Sequence, residues 1–155
     1  MASPALRSEP ALTENPLWQW SNPHDVDLTK PYVYFIRIRS PNNEYRYVGK
    51  GSSASRMDAY GRNVRRVLSG QPKRPALKRN GKPQSEGNIR FRYVHLVLTK
   101  AVTQGWSIEH YPLSNCEKTQ QTSVEKLRKK ELACNLNDGI SWRVEDFDAL
   151  AKGIT

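Results

Sequence analysis

Three kinds of side chain that together could hydrolyse a phosphodiester bond occur along this chain in a set order. Tyr34 and Tyr47 belong to two short aromatic segments, Arg56 follows the second segment, and Glu125 lies much farther along. A tyrosine hydroxyl can take a proton from water, an arginine can stabilise charge on a phosphate, and a carboxylate can hold a divalent metal ion. Each of these residues alone is common in proteins of every function. Their combination predicts a hydrolytic site if the fold brings them together.

The two aromatic segments predict a β-hairpin. Residues 32–38 (YVYFIRI) are mostly aromatic or β-branched, and alternate residues share one face of a strand. Residues 40–43 (SPNN) supply the residue types of a tight turn, and residues 45–49 then predict the antiparallel partner strand. Tyr34 and Tyr47 are therefore expected on neighbouring strands.

A helix is predicted next, over about residues 53–68. Ser52 and Ser53 are suitable N-caps for it. Apolar side chains recur at steps of three and four residues, at Met57, Tyr60, Val64 and Val67. Arg56 lies four residues before Tyr60, so we expect both side chains to project from the same face of this helix.

The remaining segments complete an α+β fold. Residues 93–102 fit either a helix or a strand, and a helix is preferred because Gly105 ends a run of suitable length. Residues 106–113 alternate in the manner of a third strand. A last helix is predicted over about 114–133, opened by the capping-box spacing of Ser114 and Glu117. Its apolar stripe consists of Val124, Leu127 and Leu132. The predicted architecture is a small, mostly antiparallel, three-stranded sheet flanked by helices.

The charge of the chain predicts a polyanionic partner. Its 155 residues suit one domain and carry a formal net charge of +10. Between residues 62 and 100 there are eleven Lys or Arg and one acid, Glu86. An ordinary solvated surface is one explanation, but prolines and glycines in the segment favour a basic insertion, about 62–92, that contacts nucleic-acid phosphates. The residues predicted to do so are Arg62, Arg65, Arg66, Lys73, Arg74, Lys78, Arg79, Lys82, Arg90 and Arg92.

The chain divides into three segments on this interpretation. Residues 1–29 are an N-terminal extension, residues 30–138 are the domain, and residues 139–155 are a C-terminal tail. Trp18 and Trp20 in the extension either pack on the domain or anchor a partner, and packing is the preferred interpretation.

Composition also bears on the compartment. No apolar segment is long enough to span a bilayer, and the first residues lack the pattern of a signal peptide, so no membrane partner is expected. Cys116 and Cys134 are the only cysteines, and their spacing suggests neither a zinc site nor a disulfide framework. We therefore expect a reduced cytoplasmic protein, associated with the nucleoid if the source is a bacterium.

The order and spacing of these residues resemble the GIY-YIG nuclease superfamily over about residues 30–138. The matching positions are Tyr32-Val33-Tyr34, Tyr47-Val48-Gly49, Arg56, Glu125 and Asn137. Two aromatic strands about a dozen residues apart, followed by Arg, Glu and an Asn in a Leu-Asn pair, form a more specific pattern than any one tripeptide. The chain departs from the family at Tyr32, which stands where the first half-motif has glycine.

This resemblance implies a DNA endonuclease that hydrolyses a phosphodiester bond in one step. Tyr47 would be the general base, and Tyr34 would hydrogen-bond water or a phosphate oxygen. Arg56 would stabilise the charge on phosphorus and the leaving oxygen. Glu125 would hold one Mg²⁺ or Mn²⁺ in each active site. The implied catalytic set also includes Tyr60 and Lys50, and the residues that support the site are Gly49 and Asn137.

The resemblance further implies DNA, expected to be double-stranded, as the partner. One metal site cuts one strand at a time, so concerted cleavage of both strands at a symmetric site would need a homodimer. Restriction, homing, repair, phage-encoded and toxin roles all remain open at this stage.

Several alternatives stay open. Glu117 and Glu131 are rivals of Glu125, although neither has its spacing to Asn137. The glycines around Lys50 are too close together for a P-loop. The two roles left open for Lys50 are an effect on the tyrosine base and a contact with DNA. The rival function is a non-catalytic, basic domain of the same fold that binds DNA or RNA.

Overall fold

The elements follow one another in the order β-β-α-α-β-α-α in a computed structural model that describes residues 17–73, 80–82 and 89–155. Short 3₁₀ turns precede the last two helices, at Lys118–Gln120 and Val144–Asp146. The strands and helices are β1 Tyr32–Arg39, β2 Glu44–Gly51, α1 Ser55–Leu68, α2 Tyr93–Gln104, β3 Ser107–Asn115, α3 Gln121–Glu131 and α4 Phe147–Ala151. The predicted α+β class, with a three-stranded antiparallel sheet, is confirmed. Within the described residues, no helix has the length and apolar character needed to cross a bilayer.

β1 is the central strand of the sheet, whose order is β2-β1-β3. The predicted hairpin is confirmed, with Tyr34 opposite Gly49 and Ile36 opposite Tyr47. β3 pairs antiparallel with the other side of β1, and its register shifts between Val33 and Tyr34, opposite Pro112. Proline has no N–H to donate to a ladder, so an edge strand with an irregular register accommodates it.

The main core lies between one face of the sheet and the helices α1 and α2. The even-numbered side chains of β1 from Tyr32 to Ile38 belong to it. The apolar positions predicted for α1 are all buried, at Met57, Tyr60, Val64 and Val67. The helix predicted over residues 93–102 is confirmed as α2, which is buried along most of its length. This packing holds the N-terminal turn of α1, with Arg56, beside the hairpin.

The N-terminal caps predicted for two helices are wrong. Ala54 is the N-cap of α1 and no side chain caps that helix, so neither Ser52 nor Ser53 does so. Ser114 lies in β3, which extends to residue 115, and α3 begins only at Gln121. The capping box does not form because Ser114 is paired with Val33 in the sheet. The backbone hydrogen bonds of the sheet replace the one that a serine cap would provide.

The predicted apolar stripe of α3 is also only partly correct. Leu127 is 57% exposed, and Val124 and Leu132 are half-buried. The buried contact at the start of the helix is polar instead, because the Gln121 amide donates to the backbone oxygens of Tyr32 (3.1 Å) and Gly51 (2.8 Å).

The described part of the N-terminal extension packs on the domain, as predicted for its tryptophans. The Trp18 indole N–H donates to Nδ1 of His110 at 3.2 Å, and the Trp20 indole donates to Oδ1 of Asp58 at 2.9 Å. The backbone N–H of Ser21 donates to the His110 oxygen at 3.0 Å, which ties the segment to β3.

The C-terminal tail folds back onto α2. Trp142 and Phe91 exchange two backbone hydrogen bonds, of 2.8 and 3.0 Å, and their rings lie 5.1 Å apart. Ala151 and Ile154 are buried in the main core. Residues 139–155 therefore contribute to the same core as the sheet.

Two buried histidines predict a loss of stability in mild acid. Burial lowers the pKa of both His95 and His110 to about 3, from about 6.5 in an unfolded chain. The unfolded state therefore binds more protons between these values, so stability is complete above pH 6.5 and falls as the pH drops toward 3. At pH 5 we expect a loss of up to about 2 kcal/mol per histidine.

Urea unfolding at pH 7.5 and pH 5 measures this effect in a window above the pKa of ordinary carboxylates. His24 is exposed, so a His24→Gln variant serves as the control and should keep the full difference between the two pH values. Equal free energies of unfolding at the two pH values would contradict neutral, buried histidines.

Candidate active site

A cleft of about 580 Å³ opens between β2, α3 and the chain that follows α3. The residues predicted for the site come from four separate parts of the sequence, the hairpin, α1, α3 and the segment after α3. Six of them line the cleft, Tyr47, Gly49, Lys50, Arg56, Glu125 and Asn137. The fold therefore brings the general base, the arginine and the metal-binding carboxylate of the sequence hypothesis to a single surface.

Tyr47 forms part of the cleft wall and is held there by a second arginine. Its side chain is only 4% exposed, and its hydroxyl oxygen accepts a hydrogen bond from Nη1 of Arg92 at 3.3 Å. Arg92 immediately precedes α2 and also lines the cleft. This hydrogen bond fixes the position of the Tyr47 hydroxyl at the cleft wall.

Arg56 rests on two buried tyrosines. Its Nε donates to the Tyr34 hydroxyl at 3.1 Å, and its Cζ lies 5.5 Å from the ring centre of Tyr60 and 6.0 Å from that of Tyr34. The two tyrosine hydroxyls are hydrogen-bonded to each other. Of these three residues only Arg56 lines the cleft. The arginine is thus presented at the cleft wall by an aromatic support, which favours a fixed guanidinium.

Burial keeps Tyr34 and Tyr60 neutral. Tyr34 is 0% exposed and Tyr60 is 3% exposed. Desolvation raises the pKa of both hydroxyls well above the usual value of 10, and Arg56 only partly offsets that effect. The sequence hypothesis gave Tyr34 a hydrogen bond to water or to a phosphate oxygen. In the structure its hydroxyl is already bonded to Tyr60 and Arg56, so its placement suits support of the arginine.

Glu125 projects from α3 into the cleft. Its side chain is 18% exposed, and Oε1 lies 3.9 Å from Nζ of Lys129, one turn along the helix. Glu125 therefore lines the cleft and also forms the ion pair with Lys129 that an ordinary surface glutamate of a helix would form. The rivals are placed elsewhere, because Glu117 precedes the 3₁₀ turn before α3 and Glu131 is exposed, 3.8 Å from Arg128.

The chemistry of this carboxylate is compatible with Mg²⁺. No group of three or more His, Cys, Asp or Glu side chains suited to a metal occurs in the described part of the chain. Mg²⁺ commonly keeps several waters and binds through one or two carboxylates together with substrate phosphates. Glu125, in a cleft open to a phosphate, fits that mode, and Asp138 also lines the cleft.

The position of Lys50 is compatible with both of its predicted roles. Its Nζ donates to the Thr122 hydroxyl at 2.8 Å, which links β2 to the first turn of α3. The residue lines the same cleft as Tyr47 and is exposed. Contact with a bound phosphate and an electrostatic effect on the tyrosine are both compatible with this position.

Asn137 holds β2 in place from its free edge. Its side-chain amide donates to the Val48 oxygen at 2.6 Å, and its Oδ1 accepts from the Val48 N–H at 3.1 Å. Asn135 does the same one step earlier, with the Arg46 N–H at 2.7 Å and the Glu44 oxygen at 3.1 Å. The two amides replace a fourth strand along β2 and fix the backbone on both sides of Tyr47.

Gly49 makes room for the tyrosine support, which predicts a clear effect of Gly49→Ala. A Cβ at this position would overlap the Tyr34 ring, whose Cε1 would be 2.8 Å away. Since Tyr34 is fully buried, the ring has no space to yield, and we expect a loss of about 1–3 kcal/mol in the free energy of unfolding.

Gly61→Ala provides the matched control for this prediction. Gly61 lies within α1, and a Cβ there meets no atom within 4 Å. Urea unfolding should show a gain of about 0.5–1 kcal/mol for Gly61→Ala, because alanine stabilises a helix interior relative to glycine. Changes of the same sign in the two variants would contradict the close approach at Gly49.

The residues predicted to bind nucleic-acid phosphates are divided among several places. Lys73 and Arg92 lie near Arg56, and Arg90 donates to the Ser141 oxygen at 3.4 Å. Arg62 and Arg65 line a separate groove with Trp18 and Trp20, Arg66 donates to the Pro72 oxygen at 2.8 Å, and Lys82 is exposed. Arg74, Lys78 and Arg79 lie outside the described residues.

The specific position of Arg92 is what sequence reasoning missed. It was grouped with the basic insertion, whereas its guanidinium contacts the predicted base. Its backbone is fixed by the Trp142 indole, which donates to the Arg92 oxygen at 2.9 Å, and by Nδ1 of His95, which accepts from the Arg92 N–H at 3.2 Å. The His95 contact is local, since His95 is the third residue of α2. The Trp142 contact depends on how the tail packs, and no local motif signals it.

Comparison with known proteins assigns no family to this chain. No protein-family model, no curated protein and no solved structure matches it. A function must therefore be argued from the side chains and geometry of the cleft itself.

Proposed function

We propose that this chain is a metal-dependent endonuclease that hydrolyses phosphodiester bonds in DNA. The observation that carries the proposal is the convergence of Tyr47, Arg56 and Glu125 from three elements on one cleft. A tyrosine, an arginine and a carboxylate supply the base, the phosphate clamp and the metal ligand that such a hydrolysis needs.

The charge of the cleft supports a phosphodiester as the substrate. Four cationic side chains line it, against the carboxylates of Glu125 and Asp138. The cations are Lys50, Arg56, Arg92 and Lys129. A cleft of one dominant sign concentrates ligands of the opposite sign, and the net charge of +10 extends that field to the whole molecule.

In the proposed mechanism Tyr47 accepts the proton of the attacking water. A free tyrosine hydroxyl ionises near pH ~10, so a base of this kind needs cations close to its oxygen. Arg92 donates to that oxygen directly, and Arg56 lines the same cleft.

Arg56 binds the phosphate and stabilises the charge that develops on its oxygens. The planar guanidinium is always charged and offers several N–H donors, of which one is used on Tyr34. Glu125 would hold a Mg²⁺ or Mn²⁺ ion, whose chemistry here is that of a Lewis acid for the phosphate. Gly49 and Asn137 keep the backbone around the base in position.

The test is a plasmid assay with the purified 155-residue chain. Supercoiled DNA should become nicked circles in the presence of Mg²⁺ or Mn²⁺ and remain intact in EDTA. Nicked product should precede linear product if single sites act one strand at a time, and a homodimer would yield linear product early. DNA that is bound but never cut with either metal would favour a non-catalytic nucleic-acid-binding domain instead.

A further inference from the structure

A second, smaller cavity lies beside the cleft. It has a volume of about 110 Å³ and is bounded by α1, the start of α2 and the segment that follows α1. Arg56 and Arg92 line both this cavity and the cleft. The remaining walls come from Ala59, Tyr60, Asn63, Lys73 and His95.

Three positive side chains face this cavity and no carboxylate lines it. They are Arg56, Lys73 and Arg92. Within the described ranges, none of the three forms a salt bridge, although seven such pairs occur elsewhere on this part of the chain. The three cations line one small cavity. Burial lowers the pKa of Lys73, and the charges of Arg92 and Arg56 lower it further.

Hydrogen bonds hold the side chain of Arg56 and the backbone of Arg92 at this cavity. Asn63 contacts Nε2 of His95 at 3.2 Å, and Nδ1 of the same ring accepts from the Arg92 N–H. Because Nδ1 is an acceptor, Nε2 carries the ring proton of the neutral histidine. Burial lowers the pKa of His95 to about 3, so the ring adds no charge near neutral pH. Arg56 is held in turn by the Tyr34 hydroxyl.

The size of the cavity suits a phosphate group. A single water needs roughly 10–15 Å³ of such space, so four oxygen-sized atoms need roughly 40–60 Å³. The cavity provides about 110 Å³. Each of the two guanidinium groups uses one N–H in its described side-chain hydrogen bond, which leaves other donors for an anion.

We propose that this cavity binds a phosphate group, and that its occupant is a second phosphate of the DNA strand, next to the one held in the cleft. The identity of the occupant rests on the proposed function. Arg56 and Arg92 then bridge the two phosphates, and Lys73 contacts only the second. Two neighbouring phosphates held in separate sites fix the path of the strand past Tyr47, which is the kind of positioning that hydrolysis requires.

The experiment measures binding without metal, so that no cleavage takes place. DNA affinity is followed by fluorescence anisotropy in EDTA between 50 and 200 mM salt, and binding of inorganic phosphate is followed by calorimetry. Two variants alter the cavity by different means, since Lys73→Gln removes a charge and Ala59→Leu fills space without changing charge. Lys30→Gln is the control, because Lys30 is 72% exposed and lies elsewhere, paired with Asp27.

Lys73→Gln and Ala59→Leu should each weaken DNA binding about tenfold at 50 mM salt, as expected for one charge-assisted hydrogen bond. Each should also reduce the slope of log affinity against log salt by about 0.9, the effect of one duplex phosphate. Lys30→Gln should change neither quantity. The two cavity variants should also lose any binding of inorganic phosphate that the unaltered chain shows.

Unchanged DNA affinity and salt slope in both cavity variants, with no phosphate binding by the unaltered chain, would overturn the proposal. Loss of phosphate binding with unchanged DNA affinity would retain a phosphate site but overturn the DNA strand as its occupant. A changed salt slope without binding of free phosphate would support the DNA backbone as its source. Absence of plasmid nicking is a separate result that contradicts the proposed function and leaves these measurements intact.

Discussion

Replacing Glu125 by glutamine is expected to remove metal-dependent nicking while DNA binding remains. Glutamine has nearly the same size but no negative charge, so it fills the same space in the cleft and binds Mg²⁺ far more weakly. A metal ion that stabilises phosphate charge contributes several kcal/mol to the transition state, so the rate should fall on the order of 10²- to 10⁴-fold. The four cations of the cleft are unchanged, and DNA affinity in EDTA should stay the same or rise.

The fold should tolerate this substitution. The only described ion pair of Glu125 is the helical contact with Lys129, and exposed pairs of this spacing contribute about 0.3–0.5 kcal/mol. Urea unfolding of Glu125→Gln should therefore resemble that of the unaltered chain. A normal free energy of unfolding together with lost nicking would show that the carboxylate acts in the reaction.

Glu131→Gln is the matched control for Glu125. It makes the same chemical change on the same helix, but the Glu131 side chain is 52% exposed and is paired with Arg128 outside the cleft. We expect nicking within about twofold of the unaltered rate, as for most surface substitutions. Retained nicking by Glu125→Gln, or equal losses in the two variants, would contradict Glu125 as the metal ligand.

The hairpin and α1 could be predicted from the sequence because their patterns are local. A period of two in β1, turn residues after it and a three-to-four-residue spacing in α1 each follow from the geometry of one element. The family resemblance predicts that Tyr47, Arg56 and Glu125 share one site, and the structure brings the three residues to one cleft.

The features that could not be predicted depend on contacts between distant segments. The residues around Ser114 match the sequence pattern of a capping box. The box does not form because pairing with β1 extends β3 through Ser114. Phe91 and Trp142 form an antiparallel bridge next to Arg92, whose guanidinium donates to the Tyr47 hydroxyl. No pattern near these residues in the sequence predicts that hydrogen bond. Leu127 fits a helical stripe, yet no described element covers it, so it stays exposed.

The difference between local patterns and contacts among distant segments also explains why Tyr34 and Tyr47 have different surroundings. Tyr34 and Tyr47 look equivalent in the sequence, as aromatic residues of paired strands. Tyr34 lies on the central strand beneath α1 and is fully buried, whereas Tyr47 lies on the edge strand and borders the cleft. Position within the sheet therefore favours Tyr47 as the base and Tyr34 as the support of Arg56, under the proposed function.

Replacing Arg56 by glutamine should lower the single-turnover rate of DNA cleavage on the order of 10²- to 10³-fold, as the loss of a preorganised donor to a developing charge usually does. Glutamine cannot provide a charged planar group over the rings of Tyr34 and Tyr60. Arg56→Lys restores the charge but not the geometry, because an ammonium cannot bond Tyr34 through one nitrogen and a phosphate through two others. Its rate should lie between those of the glutamine variant and the unaltered chain.

Arg62→Gln tests whether this effect belongs to the position rather than to the charge of α1. Arg62 is six residues along the same helix, and its guanidinium donates to the Ser55 oxygen at 3.4 Å, away from the cleft. At saturating protein, where affinity no longer limits the rate, Arg62→Gln should cleave as fast as the unaltered chain. If both arginine variants lose the same factor at saturation, general attraction of DNA explains the loss and Arg56 has no special role. If only Arg56→Gln is slow, the effect belongs to the position of Arg56 at the cleft wall and not to the general charge of α1.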